Sequence, residues 1–185
     1  MIDKPIISFP PQDEEKRFLL GKEGENSLLV VCLNPSTADI TSLDPTTRNV
    51  ETIAVNHGYN GWLLFNLSAQ RSTKPWRMHN NAVDQFHQEN IERLITLLHS
   101  NEYGIQNVLF AWGNNIELRS YLLSNAIDII RICEEFGLSP LKIEDTNKGH
   151  PYHPMPTPIN IHLGGIENIR LAEFHVNQYL QQLLK

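Results

Sequence analysis

The chain has 185 residues, 41% hydrophobic and 19% charged, the proportions of one globular domain rather than of a disordered segment. Its 15 Lys and Arg against 21 Asp and Glu give a net charge of −6, which argues against a surface coated for nucleic acid. The two cysteines, Cys32 and Cys133, exclude a disulfide framework and a four-cysteine metal or iron–sulfur centre, and no apolar run approaches the roughly 20 residues of a membrane span.

The opening stretch MIDKPIISFPPQDEEKRF is too polar, with acids too early, for a signal peptide, so a reducing cytoplasm is the expected compartment and no membrane partner is expected. Arg17–Leu20 and Ser27–Leu33 bracket the turn GKEGEN and predict a hairpin or two adjacent strands. Within the second of these, LLVVCL is a continuous apolar run with β-branched members, the pattern of a strand buried on both faces. After the loop NPSTADITSL, Asp44 and Pro45 supply a helix N-cap and a first-turn proline, and Gly58 suits the C-terminal cap. GWLLFNL, Gly61–Leu67, predicts a second buried strand, followed by the loop SAQRSTKPWRMHNN.

A helix is predicted from about Ala82 to Ser100, with Val83, Phe86, Asn90, Ile91, Leu94, Ile95 and Leu98 on one face and Asn90 as its polar interruption. Asn107–Trp112 is strand three, and Gly113 turns the chain into helices at Asn114–Ser124 and Ala126–Phe136. Leu141–Ile143 is strand four, Glu144 to about Pro158 an irregular proline-rich loop, and Glu173–Leu184 the closing helix. No repeat or linker divides residues 1–185. The alternation predicts a single three-layer α/β/α domain around a central, mostly parallel four-stranded sheet, whose ligand crevice lies outside the carboxyl ends of the strands.

The loops at those ends are unlike the rest of this acidic chain. Thr52–Val83 contains no Asp or Glu but has Arg71, Lys74 and Arg77, and Thr146–Ile166 contains none but has Lys148, His150, His153 and His162. Trp76 interleaves with the first cationic set, a pattern that suits phosphate neutralisation and base stacking as well as it suits a solvated loop anchored by one aromatic. Arg48 is placed either to pair with Asp44 at the helix start or to face a phosphate. Trp112 and Cys32 read as core. Phosphate-loop, nucleophile-elbow, HExxH and dinucleotide motifs are absent, so no cofactor is expected. A zinc site from His150, His153 and His162 lacks the cysteine or carboxylate of a usual ligand set, and no metal is expected.

CLNPSTAD, LDPTTRNV, GYNGWLLFNLSAQRSTKP and LFAWGNN, in this order over roughly Arg17–Pro156, resemble the bacterial and phage family called domain of unknown function 1643. More distantly, Asn34-Pro35-Ser36 after strand one, Leu64-Phe65-Asn66 ending strand two, Phe110-Ala111-Trp112-Gly113 and His150-Pro151-Tyr152-His153-Pro154 are similar to the motifs of the uracil-DNA glycosylase superfamily. That second resemblance implies a glycosylase-like fold and a hydrolase of the N-glycosidic bond of a nucleobase, modified or not, with DNA or a nucleotide as partner. In it Asn34 places a water against the sugar carbon and Asn66 reads the base edge, since an amide offers both donor and acceptor. His153 donates to the departing base.

Pro35, Ser36, Arg48, Arg71, Lys74, Trp76, Arg77 and His150 complete the implied binding set, with Met155 and Pro156 where a wedge into a duplex belongs. The superfamily's strongest members carry an aspartate in the first loop, so Asn34 matches a weaker type. Each residue also has a plainer reading: Asn34 as a turn cap, Asn66 as a satisfied amide tying two loops, and the histidines as surface loop residues, the reading that suits His150 better. Two rivals follow: a binding module of the same fold without chemistry, and a small-molecule enzyme that never touches DNA.

Overall fold

In the computed structural model, residues 1–36 and 38–183 are described; Thr37 of the NPSTAD motif and Leu184, the expected end of the closing helix, lie outside the described residues. The strands are β1 (Ile7–Phe9), β2 (Leu19–Lys22), β3 (Ser27–Cys32), β4 (Gly61–Asn66), β5 (Asn107–Phe110), β6 (Ser139–Lys142) and β7 (Ala172–Glu173). The helices are α1 (Pro45–Asn56), α2 (Asp84–Ser100), α3 (Ser120–Glu135), α4 (Pro156–His162) and α5 (Val176–Leu183). One seven-stranded sheet runs β1-β2-β4-β3-β5-β6-β7. The four expected strands are its parallel centre, β4-β3-β5-β6, and β1, β2 and β7 add antiparallel edges. The expectation of a four-stranded sheet is therefore corrected to seven. The additional strands β1 and β7 are short and half-buried or exposed, and carry none of the apolar density that marks a central strand.

Alternation along the central strands builds two cores. Leu29, Val31, Leu63, Phe65, Val108 and Phe110 pack with Leu94, Leu98, Ile129 and Tyr179 of α2, α3 and α5. Leu28, Val30, Cys32, Trp62 and Leu64 pack with Val50, Ile53 and Ile159 of α1 and α4. The connection β3–α1–β4 moves one way across the sheet over the second face. Both β4–α2–β5 and β5–α3–β6 move the other way over the first face, as a single hand of crossover requires. The direction reverses between β3 and β5, which fixes the switch point of the sheet at their carboxyl ends.

Arg17–Leu20 and Ser27–Leu33 are neither a hairpin nor neighbours, because β4 lies between β2 and β3. β3 is buried on both faces and takes parallel partners on both edges. β2 then pairs with the outer edge of β4, where Gly21 allows the contact: a Cβ there would fall 2.3 Å from the Trp62 carbonyl oxygen. The two expected helices after Gly113 are a 3-10 turn, Asn114–Leu118, and one helix, α3. The break falls at Arg119, which is extended, and Asn125 is buried mid-helix, where its amide has a partner. Pro156–Pro158 belong to α4 rather than to the preceding loop, and the closing helix starts at Val176 because Glu173 pairs with Leu141 in β7. Among the described residues, no helix is long and apolar enough to cross a membrane.

Candidate active site at the strand ends

The loops that leave β3, β4, β5 and β6 enclose a cavity of about 710 Å³ at the switch point. Asn34, Ser36, Asn66, His153 and Met155 all line it. In strand order, Asn34 follows β3 at the centre, Asn66 ends β4 on one side, and the loop carrying His153 lies against Gly113 beyond β5 on the other.

Beyond the last residue of β4 the backbone stays satisfied. Leu67 and Ser68 N–H donate to the Cys32 and Leu33 carbonyls at 2.9 and 3.0 Å. The carbonyls of Asn66 and Leu67 accept from Asn90 Nδ2 of α2 and Asn125 Nδ2 of α3, each at 2.9 Å. The polar interruption of the α2 stripe is thus a clamp on the end of β4. Asn66 itself is 2% exposed, and its Oδ1 has no partner. A buried acceptor left in that state costs about 1–3 kcal/mol.

Asn34 Nδ2 donates to the carbonyls of Pro35 at 2.9 Å and Ser72 at 2.8 Å, while Ser72 N–H donates to the Pro35 carbonyl at 2.8 Å. The amide nitrogen of Asn34 therefore ties two loops together, as the plainer reading has it, and Oδ1 is what it can offer a water or ligand. Pro35 is buried behind this knot and does not line the cavity.

His153 rests on Gly113, whose φ of 68° and missing side chain both matter, since a Cβ there would stand 3.1 Å from His153 Cβ. Gly113 N–H donates to the Pro151 carbonyl at 2.9 Å and fixes the loop against β5. Burial pushes the imidazole down to about 4, with the Asp44 charge opposing, so the ring is neutral at pH 7. Its Nδ1 is enclosed without a partner.

Four lining residues, Arg17, Asp44, Glu144 and Asp145, carry charges whose part in the cavity the residue pattern did not reveal. Asp44 caps α1, accepting from Thr47 N–H at 2.9 Å and Thr47 Oγ1 at 2.5 Å, and its carboxylate also lines the cavity, where its charge reaches both Arg17 and His153. Arg17, just ahead of β2, is 2% exposed; its Nη1 donates to the Ala38 carbonyl and its Nε has no partner. Burial pushes this guanidinium down to about 10, helped by Arg71 and opposed by Asp44 and Asp39, so it stays charged at neutral pH. In the sequence Arg17 is one cation before an apolar strand, and only tertiary contact reveals it.

The remaining expected binding residues are not on the cavity. His150 is 3% exposed and accounted for: its Nδ1 meets Tyr179 Oη at 2.8 Å and its Nε2 meets Glu117 Oε1 at 3.0 Å, while Trp112 Nε1 donates to Tyr179 Oη at 3.0 Å. Lys148 pairs with Glu117 at the end of this chain, and neither His150 nor Lys148 lines the cavity. Arg48 is exposed and donates from Nε to the Leu43 carbonyl at 3.1 Å, neither pairing with Asp44 nor lining the cavity. Ser72, Thr73 and Pro75 line the cavity, but Arg71, Lys74, Trp76 and Arg77 of the same loop do not. Lys74 Nζ stands 5.8 Å from the ring centroid of Trp76, which is 61% exposed.

Among the described residues, no group of three or more His, Cys, Asp or Glu could hold a metal, and both nitrogens of His150 are occupied. Cys32 also lines the cavity, but burial pushes its thiol up and leaves it inert.

No curated protein matches the chain. A solved structure of a "putative hydrolase" from Agrobacterium vitis S4 is similar at 13% identity and a TM-score of 0.36. The likeness covers 73% of this chain and 47% of that one, so this chain spans about half its length, and at that score it carries no argument. The family model for proteins of unknown function named DUF1643 matches residues 17–155, and the chain belongs to that family.

Proposed function

We propose that the cavity hydrolyses the N-glycosidic bond of a nucleobase-bearing ligand by glycosylase-like chemistry. The observation that carries this reading is that Asn66 Oδ1 and His153 Nδ1, both enclosed and both without a partner, belong to residues lining one cavity at the switch point. Polar atoms left unpaired inside a folded protein are costly, and a base edge with its own donors and acceptors satisfies them. In this scheme Asn66 reads the base. A water oriented by Asn34 Oδ1 attacks the anomeric carbon and gives its proton to the Asp44 carboxylate. The carbon–nitrogen bond breaks with its electron pair going to the base, and the neutral His153 donates a hydrogen bond to the charge that develops there. The proton held by Asp44 passes through solvent to the departed base, which leaves as the neutral species and returns Asp44 to its carboxylate form.

A second reading, a binding module without chemistry, is favoured by the commitment of Asn34 Nδ2 to two backbone carbonyls, which leaves the residue one free atom for a water. The deciding assay is release of free base from nucleosides, nucleoside monophosphates and single-stranded oligonucleotides carrying uracil, thymine or modified pyrimidines. Hydrolysis predicts release from at least one class, reduced about 10–1000-fold in Asn66→Ala and in His153→Ala. Binding without release from any substrate supports the module instead, and absence of both overturns the reading.

A further inference from the structure

Arg17 has no role in the scheme above. It takes part in none of the ion pairs among the described residues, although it is nearly inaccessible. One guanidinium nitrogen holds the Ala38 carbonyl, and Nε is enclosed with nothing to donate to. A desolvated cation of this kind is stabilised only by an anion close by, and Arg presents the planar fork that suits the oxygens of a phosphate. Asp44 and Asp39 act on it only through their charge, without forming an ion pair, and Asp44 spends Oδ1 on Thr47. The hydroxyl residues Ser36, Ser72 and Thr73 line the same cavity and can add donors to an anion.

We propose that Arg17 is the phosphate subsite of the cavity and that the ligand is a free mononucleotide rather than a base carried on DNA. This deepens the reading given above and rests on it for the base end of the ligand. A single buried cation inside a cavity suits one terminal phosphate. A nucleic-acid backbone needs a track of accessible cations along the cavity, and here Arg71, Lys74 and Arg77 of the neighbouring loop lie off its wall, Arg48 is held by the Leu43 carbonyl, and Glu144 and Asp145 share the wall with Asp44. A polyanion approaching a chain of net charge −6 past those carboxylates is repelled, whereas one phosphate reaches Arg17 from inside.

The experiment measures, by calorimetry, the binding of inorganic phosphate, of a nucleoside and its 5′-monophosphate, and of a single-stranded oligonucleotide of the same base. The expected result is that the monophosphate binds about ten- to a hundredfold more tightly than the nucleoside, and that inorganic phosphate competes with it. In Arg17→Met the preference disappears while nucleoside binding persists, and Arg17→Lys restores part of it. If both variants fail to fold, phosphate competition and the monophosphate preference of the unaltered protein still decide. Equal binding of nucleoside and monophosphate with no phosphate competition overturns the subsite, as does tightest binding of the oligonucleotide. Base release that does not discriminate between nucleoside and monophosphate leaves the hydrolytic reading standing and sinks the subsite. Phosphate-dependent nucleotide binding without base release does the reverse.

Discussion

At His153 desolvation in the cavity wall holds the imidazole in its neutral form. A histidine held down to about 4 in the folded protein but titrating normally when unfolded makes the unfolded chain bind the extra proton between those values. Stability contributed at this residue is therefore fully present above about pH 6.5 and declines as the pH falls towards 4, by about 3 kcal/mol at most. Urea titrations across that window should show a steeper decline for the native protein than for His153→Gln, and equal slopes would contradict the buried neutral ring. Base release should be insensitive to this group across the range in which a free histidine titrates: the rate holds between about pH 8 and 6, because His153 stays neutral throughout.

Asn66 calls for a different signature. Its side chain has an orphan acceptor, so Asn66→Ala should leave stability within about 1 kcal/mol of the native protein, or raise it, while removing base discrimination. A loss of several kcal/mol with ligand binding intact would mean that the amide serves the fold instead. That Asn34, Asn66 and His153 line one cavity could be anticipated from the sequence, because each is a polar residue at the end of a strand or in the loop that follows one. Arg17 and Asp44 were not, since a cation before an apolar strand and an acid before proline have ordinary local explanations, and the cavity role depends on neighbours distant in sequence.

The elements that aim these side chains make their own predictions. Asn90 and Asn125 reach from two helices to the last carbonyls of β4, and truncating either to Ala strands a buried carbonyl. Each change should cost about 1–3 kcal/mol in denaturant unfolding and loosen Asn66; a neutral Asn90→Ala would show that the clamp is dispensable. Gly113→Ala meets both a positive φ and the side chain of His153, and should cost about 1–2 kcal/mol while lowering base release, since the loop must shift to make room. The parallel strands were readable because a strand covered on both faces is apolar throughout. The pairing of β2 was not, because proximity in sequence favours a hairpin while the demand of β3 for partners on both edges is a property of the whole sheet. The break before α3 was misplaced for a similar reason. Ser124-Asn125 looks like a helix stop until the Leu67 carbonyl supplies the amide with a partner.

For the whole molecule, charge and topology work together: among the described residues of this acidic chain, Arg17 is a buried cation without an ion pair, on the cavity where the strand order reverses. Contact through one buried cation is screened far less than contact along a surface. Monophosphate affinity should therefore fall only about two- to threefold between about 50 and 200 mM salt, whereas binding through several backbone phosphates would fall by orders of magnitude. The order β4-β3-β5-β6 also sets the span of the ligand, because Asn66 ends β4 and His153 rests beyond β5, one on each side of Asn34. The most direct test of that arrangement is a crystal structure of the protein with a C-nucleoside monophosphate, whose carbon–carbon glycosidic bond resists hydrolysis. The account predicts the base edge within hydrogen-bonding distance of the Asn66 side chain and of His153, the anomeric carbon towards Asn34, and the phosphate on Arg17. A ligand bound elsewhere, or seated in the cavity without touching Asn66 and His153, would contradict it.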